Sequence, residues 1–471
     1  MSRTSIPAAL LILFLGWTGV GLRAQGPVGV IISEQSRTAF TVQGAGARAT
    51  GLGGAFIAVA DDATAASFNP AGLAQLMKPE VSFVGRGSRQ ALSYKDVEIS
   101  GGARTLVVSD SLTARSDFGP LFLSGTVPLR FGEKTLALQF SAQRLIPLDK
   151  DDTRDLTESP ASGPGSSFLH QVIRQEGQID LYTFAAAYEL SERVLIGVAA
   201  NQWRGRWSLD SRSSKLSGGA ISEVNFAQSN QLDGTNFNLG FLWRWPTWSL
   251  GLVRRTGFHA DYGYDTTTIQ TSKGGPVMTR TPSDQRIGLH WPGSTGIGIA
   301  IRPRERWLVT ADLTHTAWSN TRYMTSSAGL NGLGFFDLDK RDRTPNATDL
   351  HFGVEHVFLT QSGTVLPLRM GYSREPQPVV DRITGEQRVI QSISLGTGLK
   401  RGRYTLDIAY RYGWDKRRTS QFLDVDQILS RTAPTSLGTE RLREQRLEFT
   451  FIVQFEREPV QALLHHLFVG E

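Results

Sequence analysis

Apolar and polar residues alternate along much of this chain with a period of two. From Tyr404 the residues Leu406, Ile408, Tyr410, Tyr412 and Trp414 interleave with Thr405, Asp407, Ala409, Arg411 and Gly413. That is the periodicity of a strand with one face in hydrocarbon and the other in a polar medium. Leu447, Phe449, Phe451, Val453 and Phe455 repeat the pattern around Arg446, Glu448, Thr450 and Gln454, and Phe237, Leu239, Phe241, Trp243 and Trp245 repeat it again. Ile297, Ile299 and Ile301 alternate with Gly298 and Ala300.

Alternation alone fits a soluble sandwich as well as a membrane barrel. The connections separate the two. Short junctions fall at Arg130 to Lys134, Leu190 to Arg193, Pro246-Thr247, Pro303 to Arg306, Thr360 to Gly363 and Lys400 to Arg403. Long polar stretches fall between them, at about 94–118, 146–177, 207–233, 259–282, 319–346, 374–388 and 416–442. Six short connections alternating with seven long ones join fourteen strands in an up-and-down meander. The predicted fold is therefore an all-β transmembrane antiparallel barrel over residues 79–456, with both ends on the periplasmic side. Trp203, Trp207, Trp243, Trp245, Trp248, Trp307, Trp318 and Trp414 lie near strand ends and are expected in the interfacial girdles.

The ends add to this picture. Arg3, the apolar run Ile6 to Leu22 and Leu22-Arg23-Ala24 have the layout of a cleavable secretory signal over residues 1–24. At about 17 residues the run is short for a spanning helix, and no later run approaches the length one needs. Residues 457–471 carry Leu463, Leu464, Leu467 and Phe468 at helical spacing and read as a periplasmic tail.

Composition mainly excludes. The 471 residues contain no cysteine, which rules out disulfides, a lipid-anchored cysteine and thiol chemistry. The net charge of +6 comes from arginines and lysines interspersed with acids, so no nucleic-acid partner is inferred. Outer-membrane lipids and lipopolysaccharide are the expected partners of the basic excess.

One segment carries a resemblance. Gly44 to Ala63, with Gly51-Leu52-Gly53, Ala55 and Ala60-Asp61-Asp62-Ala63, runs into Asn69-Pro70-Ala71 just before the first strand. It resembles the N-terminal plug of the outer-membrane long-chain fatty acid transporter family, the FadL/TodX-like proteins, and is also similar to the plug of PorV-like barrels. The first resemblance implies a fourteen-stranded barrel with a lumenal plug at about residues 40–78, within an N-terminal extension spanning 25–78. It further implies passive uptake of long-chain fatty acids or hydrocarbons with no energy source of its own; no cofactor or metal is expected, and a barrel of this size can stand alone, so a monomer is expected. The second implies a docking partner in protein secretion. Gly51, Gly53, Asp61, Asp62, Asn69, Pro70 and Ala71 are then the plug or gating residues, and Phe40 and Val42 the candidate ligand contacts. Glycines allow close packing in a crowded lumen, Asn69-Pro70 favours a turn, and Asp61 and Asp62 are expected to pair with inward arginines of the wall.

Other signals are weaker. Gly44-Ala45-Gly46-Ala47-Arg48-Ala49 is a loose dinucleotide fingerprint, but the strands around it lack the intervening helices such a site needs. Asp149, Asp151, Thr153 and Asp155 alternate without the glycine and closing glutamate of a calcium loop. His465 and His466 are adjacent rather than a helical turn apart, and no nucleophile, base and acid share a recognisable context. The chain is not expected to be an enzyme.

Overall fold

The structure is a computed structural model that describes residues 44–95, 97–101, 104–108, 111–160, 167–217, 219–272, 275–280, 285–325, 345–380, 386–419 and 438–456. The signal segment, Phe40, Val42 and the C-terminal tail lie outside the described residues.

One antiparallel sheet of fourteen barrel strands closes on itself. The strands are β1 (Glu80–Lys95), β2 (Ser111–Phe131), β3 (Lys134–Pro147), β4 (Ser167–Ser191), β5 (Val194–Ser217) and β6 (Ala220–Arg244). Then follow β7 (Trp248–Arg255, resumed as Phe258–Ser272), β8 (Gly275–Arg280, Gln285–Trp291 and Ser294–Arg304) and β9 (Trp307–Thr316, resumed as Arg322–Thr325). The last are β10 (Ala347–Leu359), β11 (Val365–Val380), β12 (Gln387–Arg401), β13 (Tyr404–Thr419) and β14 (Gly438–Gln454). Each pairs with the next, and β1 closes on β14 in an unbroken register from Glu80↔Gln454 to Lys95↔Thr439. Closure leaves no sheet edge, which hydrocarbon would not tolerate.

The alternation becomes an inside and an outside. Ile297, Ile299 and Ile301 point outward, more than two-fifths exposed, while Ala300 between them is fully buried. Phe83, Phe140, Phe184, Phe237, Leu239, Leu395, Ile408 and Phe451 extend the apolar band around the wall. The short turns fall where expected, and Gly132, Gly363 and Gly402 take the positive φ that such tight reversals need.

Three of the seven long stretches differ from expectation, and most of 319–346 and 416–442 lies outside the described residues. Stretch 207–233 is not a loop, because β5 and β6 stay paired from Val194↔Trp243 up to Ser217↔Ala220. Residues 146–177 contain a further strand, Lys150–Pro160, paired with β4, and 259–282 continues β7 against Gly275–Arg280. A strand needs only about 10 residues to cross the bilayer. On the β5–β6 hairpin beyond Leu209 and Gln228 both faces are at least partly exposed, so alternation disappears while backbone pairing continues.

The girdle assignment is also corrected in part. Trp203, Trp207 and Trp318 are buried inside the lumen, where they pack with Phe258, Tyr262 and Trp291. Trp243, Trp245 and Trp248 do cluster at the β6–β7 turn, and Trp307 lies exposed beside His356.

Candidate functional site

Residues 44–76 occupy the inside of the barrel. A short helix α1 (Ala47–Gly51), two turns and two 3-10 segments make up this piece, and most of its residues are buried. Phe56, Leu52, Ala60, Ala71 and Leu73 are fully enclosed among the inward Ala137, Ala185, Leu195, Ala199, Leu242, Ala300 and Leu308 of the wall.

Wall and segment fit through opposed glycines. Gly197 faces Gly240 across β5 and β6, Gly251 faces Gly298 across β7 and β8, and Gly353 faces Gly371 across β10 and β11. A Cβ at Gly197 would meet Pro70 and Ala71 at 2.4 Å, one at Gly251 would meet Ile57 at 2.4 Å, and one at Gly371 would meet the Gly53 nitrogen at 2.0 Å. The segment's backbone therefore lies directly on the wall. Gly53, at φ +69, has the Tyr372 nitrogen 2.7 Å from where its own Cβ would be, and Gly51 sits on Gly396 and Arg369.

Side chains of the wall satisfy the segment's backbone, as buried polar groups require. Asp312 accepts from the amides of Phe56 and Ile57 at 2.6 and 2.8 Å. Ser394 accepts from Gly53 N, Thr450 accepts from Ala47 N, and Ser249 donates to Ala58 O. His351 Nδ1 lies 2.6 Å from Gly53 O, and Gln139 and Ser124 both donate to Ala63 O.

The sequence-predicted residues meet this frame as follows. Asn69 caps the 3-10 segment Pro70–Gln75 by accepting from Ala71 N at 3.1 Å, while its amide donates to Ile57 O and to Phe241 O of β6. Among the described residues neither Asp61 nor Asp62 pairs with a wall arginine, contrary to expectation. Asp61 binds Arg48 of the same segment at 2.5 Å, and Asp62 accepts from the amide and hydroxyl of Thr64. The link to the wall has the opposite polarity: Arg48 reaches Glu355 of β10 at 3.1 Å. Burial alone would lower the pKa of Arg48, but Asp61, Glu355 and Asp62 outweigh it and hold the guanidinium charged. Burial raises the pKa of Asp62, opposed by Arg48 and by the Thr64 hydrogen bonds.

Two kinds of lumen lining face each other. On β10–β14 the inward residues form ion pairs: Glu355–Arg369–Asp407, Arg411–Glu375, Arg388–Glu440–Arg417 and Arg446–Glu444. From β3 to β9 the lining is mainly aromatic, aliphatic and amide, with Trp203, Phe258, Tyr262, Trp291 and Trp318 beside Asn201, Asn236 and Gln228, and with Arg255 and Asp312 as charged members.

Among the described residues, three cavities border the segment or the buried tryptophans. One of about 60 Å³ lies between Gly53, Ile57 and Phe68 of the segment and the polar wall residues Arg255, Asp312, Asp349, His351 and Arg411. One of about 40 Å³ lies between Ala66, Phe122, Leu145, Leu181 and Trp203. One of about 70 Å³ is lined by Trp203, Trp291, Pro292 and Trp318. Arg255 lines all three and donates to Phe68 O at 3.2 Å. Asp312, His351, Glu355 and Arg255 were not singled out in the sequence, because an inward polar residue on a barrel strand looks like every other one. Among the described residues no group of three metal-ligating side chains converges.

No protein-family model matches the sequence, and no curated protein matches it. Solved structures do. A FadL homologue of Pseudomonas aeruginosa superposes with a TM-score of 0.60 at 12% identity, over 89% of this chain and 100% of that one. The toluene transporter TodX of Pseudomonas putida gives 0.54 at 13% identity, over 88% and 100%. The monoaromatic hydrocarbon channel CymD gives 0.53 at 16% identity, over 89% and 99%. The chain is a closed antiparallel β-barrel. Its fold is the FadL/TodX-like one along nearly the whole length of those structures.

Proposed function

We propose that this protein is a passive outer-membrane channel for hydrophobic small molecules, in which residues 44–78 act as a lumenal plug. The observation that carries the reading is the pair of cavities that share Trp203, one bordered by Phe122, Leu145 and Leu181 and the other by Trp291, Pro292 and Trp318. Likeness in fold to structures described as a FadL homologue, a toluene transporter and a hydrocarbon channel supports it.

Each cavity is below the roughly 150 Å³ of an engineered site that admits benzene. Passage therefore needs the plug or the tryptophans to move, and the flat aromatic lining suits a single-ring hydrocarbon better than a long acyl chain. In this mechanism a ligand enters among the outer hairpins and rests against Trp203, Trp291 and Trp318. It then moves down as the contacts of Phe68 and Ile57 loosen. Gly51 and Gly53 supply the close backbone approach, Asn69, Pro70 and Ala71 clamp the plug to β5 and β6, and the Asp61–Arg48–Glu355 chain latches it to β10. Asp62 keeps the turn at Thr64 in shape. No bond is made or broken.

Uptake of labelled toluene and of labelled oleate by a bacterium lacking its own hydrophobic porin tests this, with the intact chain compared with one lacking residues 44–76. We expect saturable uptake through the intact chain, and unsaturable leakage of polar solutes as well through the deleted one. Folded, surface-exposed protein that takes up neither compound would remove the transport reading and leave a docking role in its place.

A further inference from the structure

Just above the hydrocarbon band, the outer face of β13, β14 and β1 changes character. Up to Tyr410, Leu447 and Gly87 the outward positions are apolar or glycine. The next four cross-strand rows read Tyr412–Gln445–Arg89, Trp414–Arg443–Ala91, Lys416–Arg441–Ser93 and Arg418–Thr439–Lys95. Twelve neighbouring positions thus hold six cations and no carboxylate, and all six cations are exposed.

The acids of the same strands do not balance them. Glu440 and Glu444 alternate to the lumen side, where they are bound by Arg388, Arg417 and Arg446. None of the six outward cations makes an ion pair with a described residue. Lys416 stands directly opposite Arg441, a cross-strand like-charge pair that weakens a sheet when nothing neutralises it. On β5, by contrast, outward Arg204 sits in register with Asp180 and Asp233.

Strand spacing and rise make the patch about 10 Å wide and about 20 Å tall. Its two lower rows hold the stacked rings of Tyr412 and Trp414, aromatics of the kind that sit at the level where lipid head groups meet a membrane barrel. We propose that this face is a binding site for the phosphate groups of an anionic glycolipid of the outer leaflet. Arg441 and Lys416 hold one phosphate between them, Arg443 and Arg89 extend the contact downward, and Tyr412 and Trp414 pack against the lipid body. Guanidinium groups suit phosphate because they donate in pairs. The inference is independent of what the lumen carries.

Native mass spectrometry of the folded full chain in detergent micelles tests it, with bisphosphorylated lipid A as probe and the same lipid chemically dephosphorylated. We expect the wild type to bind the phosphorylated form at least about tenfold more tightly. The triple variant Lys416→Gln, Arg441→Gln, Arg443→Gln is expected to lose that preference, while Arg204→Gln with Arg206→Gln on β5 keeps it. Equal binding of the two lipid forms by the wild type would overturn the proposal without reference to any variant. So would a folded triple variant that retains the preference, or soluble polyphosphate that binds the wild type as tightly as lipid A does.

Discussion

Gly371 shows how little room the wall leaves for the segment inside it. A methyl group there would overlap the backbone nitrogen of Gly53, and backbone cannot swing away as a flexible side chain can. Gly371→Ala is expected to unseat the segment and expose it to protease, raising its cleavage rate roughly tenfold or more. Gly125→Ala is the matched control, since nothing lies within 4 Å of its added carbon. Glu355 offers a second test, because it is shared by Arg48 of the segment and Arg369 of the wall. Removing one member of a buried charge cluster strands the others, so Glu355→Ala should cost about 3 kcal/mol in denaturant unfolding of the micelle-bound protein. At this scale the sequence was half legible. The glycine- and alanine-rich stretch marked the segment, and Asn69-Pro70 marked its turn. The partners of that stretch lie on strands hundreds of positions away, and nothing local distinguishes Asp312 or Glu355 from other inward acids.

Strands were more legible than loops, for a physical reason. Hydrocarbon against a polar lumen imposes alternation, so β13, β14 and the Ile297–Ile301 part of β8 stand out. Where both faces meet water the chain pairs without that signature, and the upper halves of β5 and β6 read as loop. The buried tryptophans were misassigned by treating strand ends as girdles. Parity separates them: Ile196 and Val198 point outward on β5, so Trp203 and Trp207, at odd positions, must point in. The upper β5–β6 hairpin makes few demands on the part inside the bilayer. Replacing Arg212–Asn225 by a two-residue Asn-Gly turn is expected to leave folding intact, read as an unchanged heat-dependent shift in gel mobility.

For the molecule as a whole, strand count, direction of the long connections and all-β class followed from the spacing of short turns, because an up-and-down barrel has few other solutions. What spacing could not carry is the order in which the parts come together. Gln454 donates to Glu80, 374 positions away, and Thr450 on the final strand accepts from Ala47 at the head of the segment. In refolding into micelles, protease protection of residues 44–76 is therefore expected to rise with the same rate constant as the gel shift that reports closure. A segment protected well before closure would contradict this. The β1–β14 seam has a corollary for the journey to the membrane. Synthesised ahead of every strand, the alanine- and glycine-rich stretch has to wait, unpaired and in water, until the last hairpin arrives. A sequence poor in β-branched residues, and therefore slow to stick to its neighbours, is the kind that can wait safely.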